Sequence, residues 1–135
     1  MALLTWSSKY SVGIASMDSQ HMTLFNMINE LHEAMMQRNA QYIAGPLLRR
    51  LADYTRRHFT AEEALMAANN YPGLRQHREL HRELTSKVED FIARQENGEL
   101  TLSIHLMNFL RDWLTTHIQQ ADQKYGPPTI REGAA

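Results

Sequence analysis

Apolar residues recur every three or four positions along most of the chain, the period of an amphipathic helix, and no sustained two-residue alternation points to a sheet. Asp18 or Ser19 can cap a first helix whose inward positions are His21, Leu24, Ile28, Leu31 and Met35, ending at a turn over Arg38-Asn39-Ala40. A second starts between Gln41 and Pro46 and carries Leu47, Leu51, Tyr54, His58, Glu62 and Leu65 up to Asn69-Asn70-Tyr71-Pro72-Gly73, a strong stop. A third runs from about Leu74 through His77, His81, Leu84, Val88 and Phe91 or Ile92 to Asn97-Gly98. The fourth begins between Glu99 and Leu102, carries Met107, Leu110, Leu114, His117 and Ala121, and stops before Gly126-Pro127-Pro128. Long helices on short links predict an all-α, antiparallel up-down-up-down four-helix bundle with an extended N-terminal arm. Residues 1–125 read as the domain and 126–135 as a loosely attached tail.

The stripes are interrupted by His21, His58, Glu62, His77, His81, His117 and Asp122, all at positions that should face the core. His58 and Glu62 are four apart, as are His77 and His81, so each pair projects from one helix face. In an up-down bundle the start of the first helix, the end of the second, the start of the third and the end of the fourth share one end of the molecule. The seven side chains converge there. An unpaired buried carboxylate costs several kcal/mol, whereas a metal removes that difficulty. Five imidazoles and two carboxylates exceed what one first-row metal takes and suit two, if the carboxylates bridge. Imidazole dominance fits iron, zinc, copper or nickel, and residue type does not choose among them. His32 and His105 lack a ligand-spaced partner and read as ordinary core histidines. Glu63 is turned about 100° from Glu62 round the helix and is set aside. Asp122 lies about 140° from His117 on an ideal helix, so joint ligation requires a helix end, a local distortion or a bridging reach.

Composition narrows the chemistry further. A chain of 135 residues, 43% hydrophobic and 21% charged, with a net charge of -1, is a single globular domain with no basic patch for nucleic acid. With no cysteine, any metal is held by nitrogen and oxygen, and the lack of disulfides fits a reducing, cytoplasmic setting. Met1 to Ser8 has no basic flank or long apolar run and reads as mature protein. No segment approaches the roughly 20 apolar residues of a membrane span, so no direct membrane insertion is expected.

The segments Asp18-Ser-Gln-His21, His58-Phe-Thr-Ala-Glu62-Glu63, His77-Arg-Glu-Leu-His81 and Trp113-Leu-Thr-Thr-His117-Ile-Gln-Gln-Ala-Asp122, in that order, resemble the hemerythrin family and, within it, the single-domain bacteriohemerythrins. The resemblance runs from about Trp6 to Tyr125 and takes in the Tyr71-Pro72 turn. It implies two iron ions, bridged by oxide or hydroxide, with His77, His81 and His117 on one, His21 and His58 on the other, and Glu62 and Asp122 bridging. It also implies an open position on one iron where dioxygen binds reversibly as hydroperoxide. Leu24, Phe59, Trp113, Leu114 and Ile118 match the family's apolar pocket. The implied role is storage, transport or delivery of dioxygen in a bacterial cell, by a monomer that serves an oxygen-consuming client enzyme. Alternatives are an oxygen or redox sensor acting through a separate partner, a diiron peroxidase or nitric-oxide-handling enzyme, and an iron-storage or zinc bundle. Glu-x-x-His pairs of the ferritin-like oxidases are absent from the sequence, which favours binding over oxygen activation.

Overall fold

The computed structural model describes residues 3–37, 40–96 and 104–126, apart from the side chains of residues 40–44, 104 and 105. The links expected at Arg38-Asn39 and Asn97-Gly98, the start of the fourth helix between Glu99 and Leu102, the side chain of His105 and the tail beyond Gly126 lie outside the described residues. Four helices, α1 (Ala15–Met35), α2 (Ala40–Ala68), α3 (Leu74–Glu96) and α4 (Ile104–Gln120), are flanked by 3₁₀ turns at Ser8–Tyr10 and Asp122–Tyr125. Among the described residues there is no strand, and no helix is long and apolar enough to cross a membrane. The first helix packs against α2 and α4, and α2 also packs against α3, giving the expected all-α four-helix bundle.

Local chemistry explains the ends. α2 stops in a Schellman arrangement: Tyr71 N donates to Met66 O (2.9 Å) and Asn70 N to Ala67 O (3.2 Å), while Asn70 takes the left-handed conformation at φ 53°. The start of α1 differs from the expectation. The helix begins at Ala15, with Ile14 as a cap that makes no side-chain bond, so Asp18 lies inside the first turn. Its carboxylate has another task, accepting from Ser11 Oγ (2.6 Å) and Val12 N (2.8 Å). Those bonds hold the N-terminal arm to the site end of the bundle, and a carboxylate in a first helical turn is also favoured by the helix dipole. Further along, Asn29 exchanges two bonds with the backbone of Leu4 (both 2.8 Å), and Trp6 and Tyr10 set their rings edgewise on Phe25.

The core follows the sequence pattern with one shift. In α2 the fully covered positions are Leu48, Leu51, Ala52, Thr55, His58, Phe59, Glu62 and Met66, whereas Leu47, Tyr54 and Leu65 are only half-buried. Because α2 contacts both α1 and α3, its covered face is wider than one stripe and its centre is turned towards Thr55 and Phe59. In α1 the covered set extends to Met17, Phe25 and Ala34, with Met35 at the edge.

Asp18→Ala is expected to lower the unfolding free energy by about 1–3 kcal/mol, the usual cost of removing a charged acceptor from partly buried donors. Urea unfolding checks this; a change below about 0.5 kcal/mol would show that the arm is held without it.

Candidate metal centre

All seven residues expected inside are buried: His21, Glu62 and Asp122 are 0% exposed, and His58, His77, His81 and His117 between 2% and 6%. They come from all four helices and the turn after α4 and meet at one end of the bundle, which requires neighbouring helices to run antiparallel. Their donor atoms form two groups, each gathered within 4.8 Å: Glu62, His77, His81, His117 and Asp122 in one, and His21, His58, Glu62 and Asp122 in the other. Both carboxylates belong to both groups. Glu62 Oε1 faces His77 (3.1 Å) and His81 (3.0 Å), and its Oε2 faces His21 (3.3 Å) and His58 (3.2 Å). Asp122 Oδ1 faces His77 (2.8 Å) and His117 (2.9 Å), and its Oδ2 faces His21 (3.1 Å).

A break in α4 makes the Asp122 contact possible. Continued as an ideal helix, the chain would carry this side chain about 140° away from His117. Instead α4 ends at Gln120 and the backbone tightens into the 3₁₀ turn Asp122–Tyr125, which turns Asp122 inward. That turn is tied to the arm, since Gln123 Nε2 donates to Lys9 O (2.6 Å). Gly126 passes so close to Val12 O that an added Cβ would lie 2.4 Å from it.

Outer partners fix the direction of two rings. His58 Nδ1 lies 2.6 Å from Gln20 Oε1, and His81 Nδ1 lies 2.8 Å from Glu63 Oε2. Both partners are acceptor oxygens, so both Nδ1 atoms carry the proton and both Nε2 atoms turn inward. A neutral ring so placed aims a lone pair at a carboxylate oxygen or, for His81 and His117, at another ring nitrogen 3.2 Å away. Each inward nitrogen then needs a cation, either a proton or a metal ion. Asp122 supports the metal: both its oxygens are buried and close to three rings, yet neither receives a hydrogen bond of sound geometry. Lone pairs converging on shared centres, from imidazole and carboxylate donors alone, fit a pair of first-row metal ions.

Electrostatics describe what protons do here without a metal. Burial pushes the Glu62 carboxyl up, but the hydrogen bonds from four imidazoles outweigh it and hold the group well below its usual range. Burial likewise opposes charging of His21 and His77, yet the carboxylates of Asp122 and Glu62 beside them raise both from 6.5 to about 9. Tyr125, fully buried, donates its hydroxyl to Glu62 Oε2 (2.8 Å), and burial together with the Glu62 charge keeps it a neutral phenol.

Three contributors escaped the sequence reading: Tyr125, Gln20 and Glu63. Gln20 precedes the inward His21 and Glu63 follows the inward Glu62, and each reaches a histidine on the next helix. A polar residue beside an inward histidine or carboxylate was the available signal. His32 is half-buried with an unpartnered Nδ1 and stands outside both donor groups.

Rings and apolar side chains cover the centre. Phe59 stacks on His81 (3.7 Å between centroids, 3° between planes) and Trp113 stacks on His117 (4.4 Å, 12°). Beyond them is a cavity of about 30 Å³, lined by Leu24, Phe59, Trp113 and Leu114 together with Ile28, Leu51, Thr55, Leu84, Val88 and Leu110. Of the five expected pocket residues, Ile118 is buried but does not line this cavity.

A helical bundle that gathers two overlapping sets of imidazole and carboxylate donors defines a protein with a dinuclear metal centre. The chain belongs to the hemerythrin family: residues 12–128 match the family model described as "Hemerythrin HHE cation binding domain". It is 34% identical to a bacteriohemerythrin of Methylococcus capsulatus over 128 residues, 94% of this chain and 97% of that relative. A bacteriohemerythrin of Stenotrophomonas maltophilia is 37% identical over 127 residues, 93% of this chain and 80% of that one. The crystal structure of a wild-type hemerythrin superposes with a TM-score of 0.90 at 33% identity, covering 93% of this chain and 97% of that chain. Membership assigns the cofactor as two iron ions and the broad class as a diiron oxygen-binding protein.

The raised histidine values give a stability prediction for the metal-free protein. A folded-state value above the unfolded one contributes stability below pH 6.5 that is lost as pH rises through about 9. Urea midpoints of metal-free protein should therefore fall across that window, while metal-loaded protein, with these nitrogens occupied, should stay level. Equal slopes for the two forms would contradict the competition between proton and metal.

Proposed function

We propose that the chain stores, carries or delivers dioxygen, binding it reversibly at a diiron centre held by His77, His81 and His117 on one side, His21 and His58 on the other, and Glu62 and Asp122 between them. The grouping of the donor atoms into two sets that share both carboxylates supports this division. A pair of ferrous ions held there would supply the electrons needed to bind dioxygen. The protein's residues do the rest: they orient the donors, exclude water and withhold protons.

One observation carries the choice of binding over catalysis. The cavity beside the centre has no titratable side chain in its lining, and its one hydroxyl, on Thr55, donates to Leu51 O at 2.6 Å. Cleaving the oxygen–oxygen bond calls for a positioned proton donor, and none of the described lining residues is one. Leu24, Phe59, Trp113 and Leu114, backed by Ile118, form a dry wall instead. Apolar cavities of this kind stay empty of water and admit small apolar molecules. A sensing role through a separate partner would use the same binding chemistry, and its partner would have to read the occupied state.

Cycling oxygen over anaerobically reduced, iron-loaded protein tests the reading. A charge-transfer band should appear in air and disappear at low oxygen over repeated cycles; prompt, irreversible conversion to the ferric form would refute a carrier. Leu114→Ala should retain two irons per chain and speed autoxidation severalfold by admitting water, while costing about 2–5 kcal/mol of stability. His117→Ala should lower the iron count itself. Metal analysis and the rate of ferric conversion separate the two effects, and an unchanged count in the His117 variant would undo the ligand assignment.

A further inference from the structure

The surroundings of the two donor groups differ in charge. Glu63 Oε2 accepts the Nδ1 proton of His81 at 2.8 Å, while its other oxygen accepts from Arg78 Nε at 3.2 Å. The Glu63 side chain is 24% exposed and His81 is buried, so the carboxylate forms a short link between the solvent edge of the α2–α3 face and the centre. On the other side, His58 Nδ1 meets only the neutral amide of Gln20, and His21 Nδ1, buried, has no partner. Among the described residues, no other imidazole of the centre has a carboxylate at its outer nitrogen; the remaining carboxylate contacts are all through Nε2.

We propose that Glu63 is a positioning residue that fixes His81 with Nε2 turned inward and adds negative charge to the three-histidine side of the centre, making that iron the more readily ferric of the two. The inference rests on the diiron reading above. Geometry supplies the first part: α2 brings Glu63 beside the bridging Glu62, and the lateral offset that removes it from the inward stripe places it against the outer edge of a ring on α3. Arg78 binds the carboxylate by its other oxygen and so leaves Oε2 directed at the imidazole. Electrostatics supply the second part. A carboxylate accepting a ligand's N–H makes that imidazole a stronger electron donor, and a stronger donor favours the higher oxidation state. The neutral Gln20 fixes its ring equally well but adds no charge, so orientation is common to the two sides and charge is not.

The test uses the full-length protein loaded with iron and, separately, with zinc. Glu63→Gln keeps an acceptor for His81 Nδ1 and removes the charge. It should retain two irons per chain and raise the reduction potential by about 59 mV, the equivalent of a tenfold loss of ferric preference in a one-electron couple. Glu63→Asp should recover part of the shift. Gln20→Glu, which adds charge on the opposite side, should lower the potential; a rise in both Glu63→Gln and Gln20→Glu would mark a structural disturbance and overturn the proposal. Glu63→Ala should weaken zinc binding about 10- to 100-fold in a competition titration, the usual effect of losing an outer partner. Two irons with the parent potential in Glu63→Gln, or unchanged zinc affinity in Glu63→Ala, would likewise overturn it. If the parent chain itself binds fewer than two irons, the diiron reading fails rather than the role of Glu63.

Discussion

The structure depends on the burial of one carboxylate. Glu62 is wholly enclosed and carries its charge there, with four imidazoles and the Tyr125 hydroxyl around its two oxygens. Left unpaired, such a charge costs several kcal/mol. Partners arrive from α1, α2, α3 and the turn after α4, so the group that is hardest to bury is met by nearly every element of the bundle. Helix direction and the folding back of the last turn both serve to bring those partners to one point. An apolar bundle could tolerate a slipped helix, whereas this one would expose or strand a charge.

Two devices near the ends of the chain complete the centre. Leaving α4 early tightens the backbone at Asp122 and delivers a second carboxylate that an unbroken helix would have pointed elsewhere. The N-terminal arm, held by Asp18 and by Gln123, closes over that turn. Residues more than a hundred positions apart thus meet at the site end, and local structure at each terminus serves the centre rather than the helix it adjoins.

Much of this was legible in the chain. Helical periodicity, Asn-Pro-Gly punctuation and polar residues at inward positions led to the bundle and to the seven convergent side chains. Misplaced features have physical causes. The expected Asp18 cap came from beginning the inward stripe at His21, whereas Met17 is already buried and the helix starts at Ala15. The edge positions Leu47 and Tyr54 came from treating a helix as one narrow inward stripe. Glu63, rightly left out of the donor groups, has an outer role that such a stripe does not show. A helix between two neighbours has a wide covered face, so Thr55 and Phe59 become central. A side chain lying just off the stripe can still reach the outer edge of a ring on the next helix, as Gln20 and Glu63 do. Asp122 failed the test of ideal periodicity for a related reason, because spacing assumes that the helix continues. Tyr125 left no periodic trace, lying in a short turn whose fold is set by contacts with the arm.

On the proposed reading, the distribution of protons around the centre would favour release of a bound molecule over its reaction. Tyr125 is the nearest phenol, yet its hydrogen is committed to Glu62, and burial beside that charge makes it a poor acid. Thr55, the only hydroxyl in the cavity lining, returns its proton to its own helix. His58 and His81 commit their outer N–H groups to Gln20 and Glu63. Stacked over His81 and His117, Phe59 and Trp113 set apolar faces between those imidazoles and the cavity. Exclusion of water by such a wall keeps a reactive molecule from gaining protons from solvent. The polar hydrogens of Tyr125, Thr55, His58 and His81 are therefore already in use, and the cavity that a diatomic would enter has no titratable side chain in its described lining.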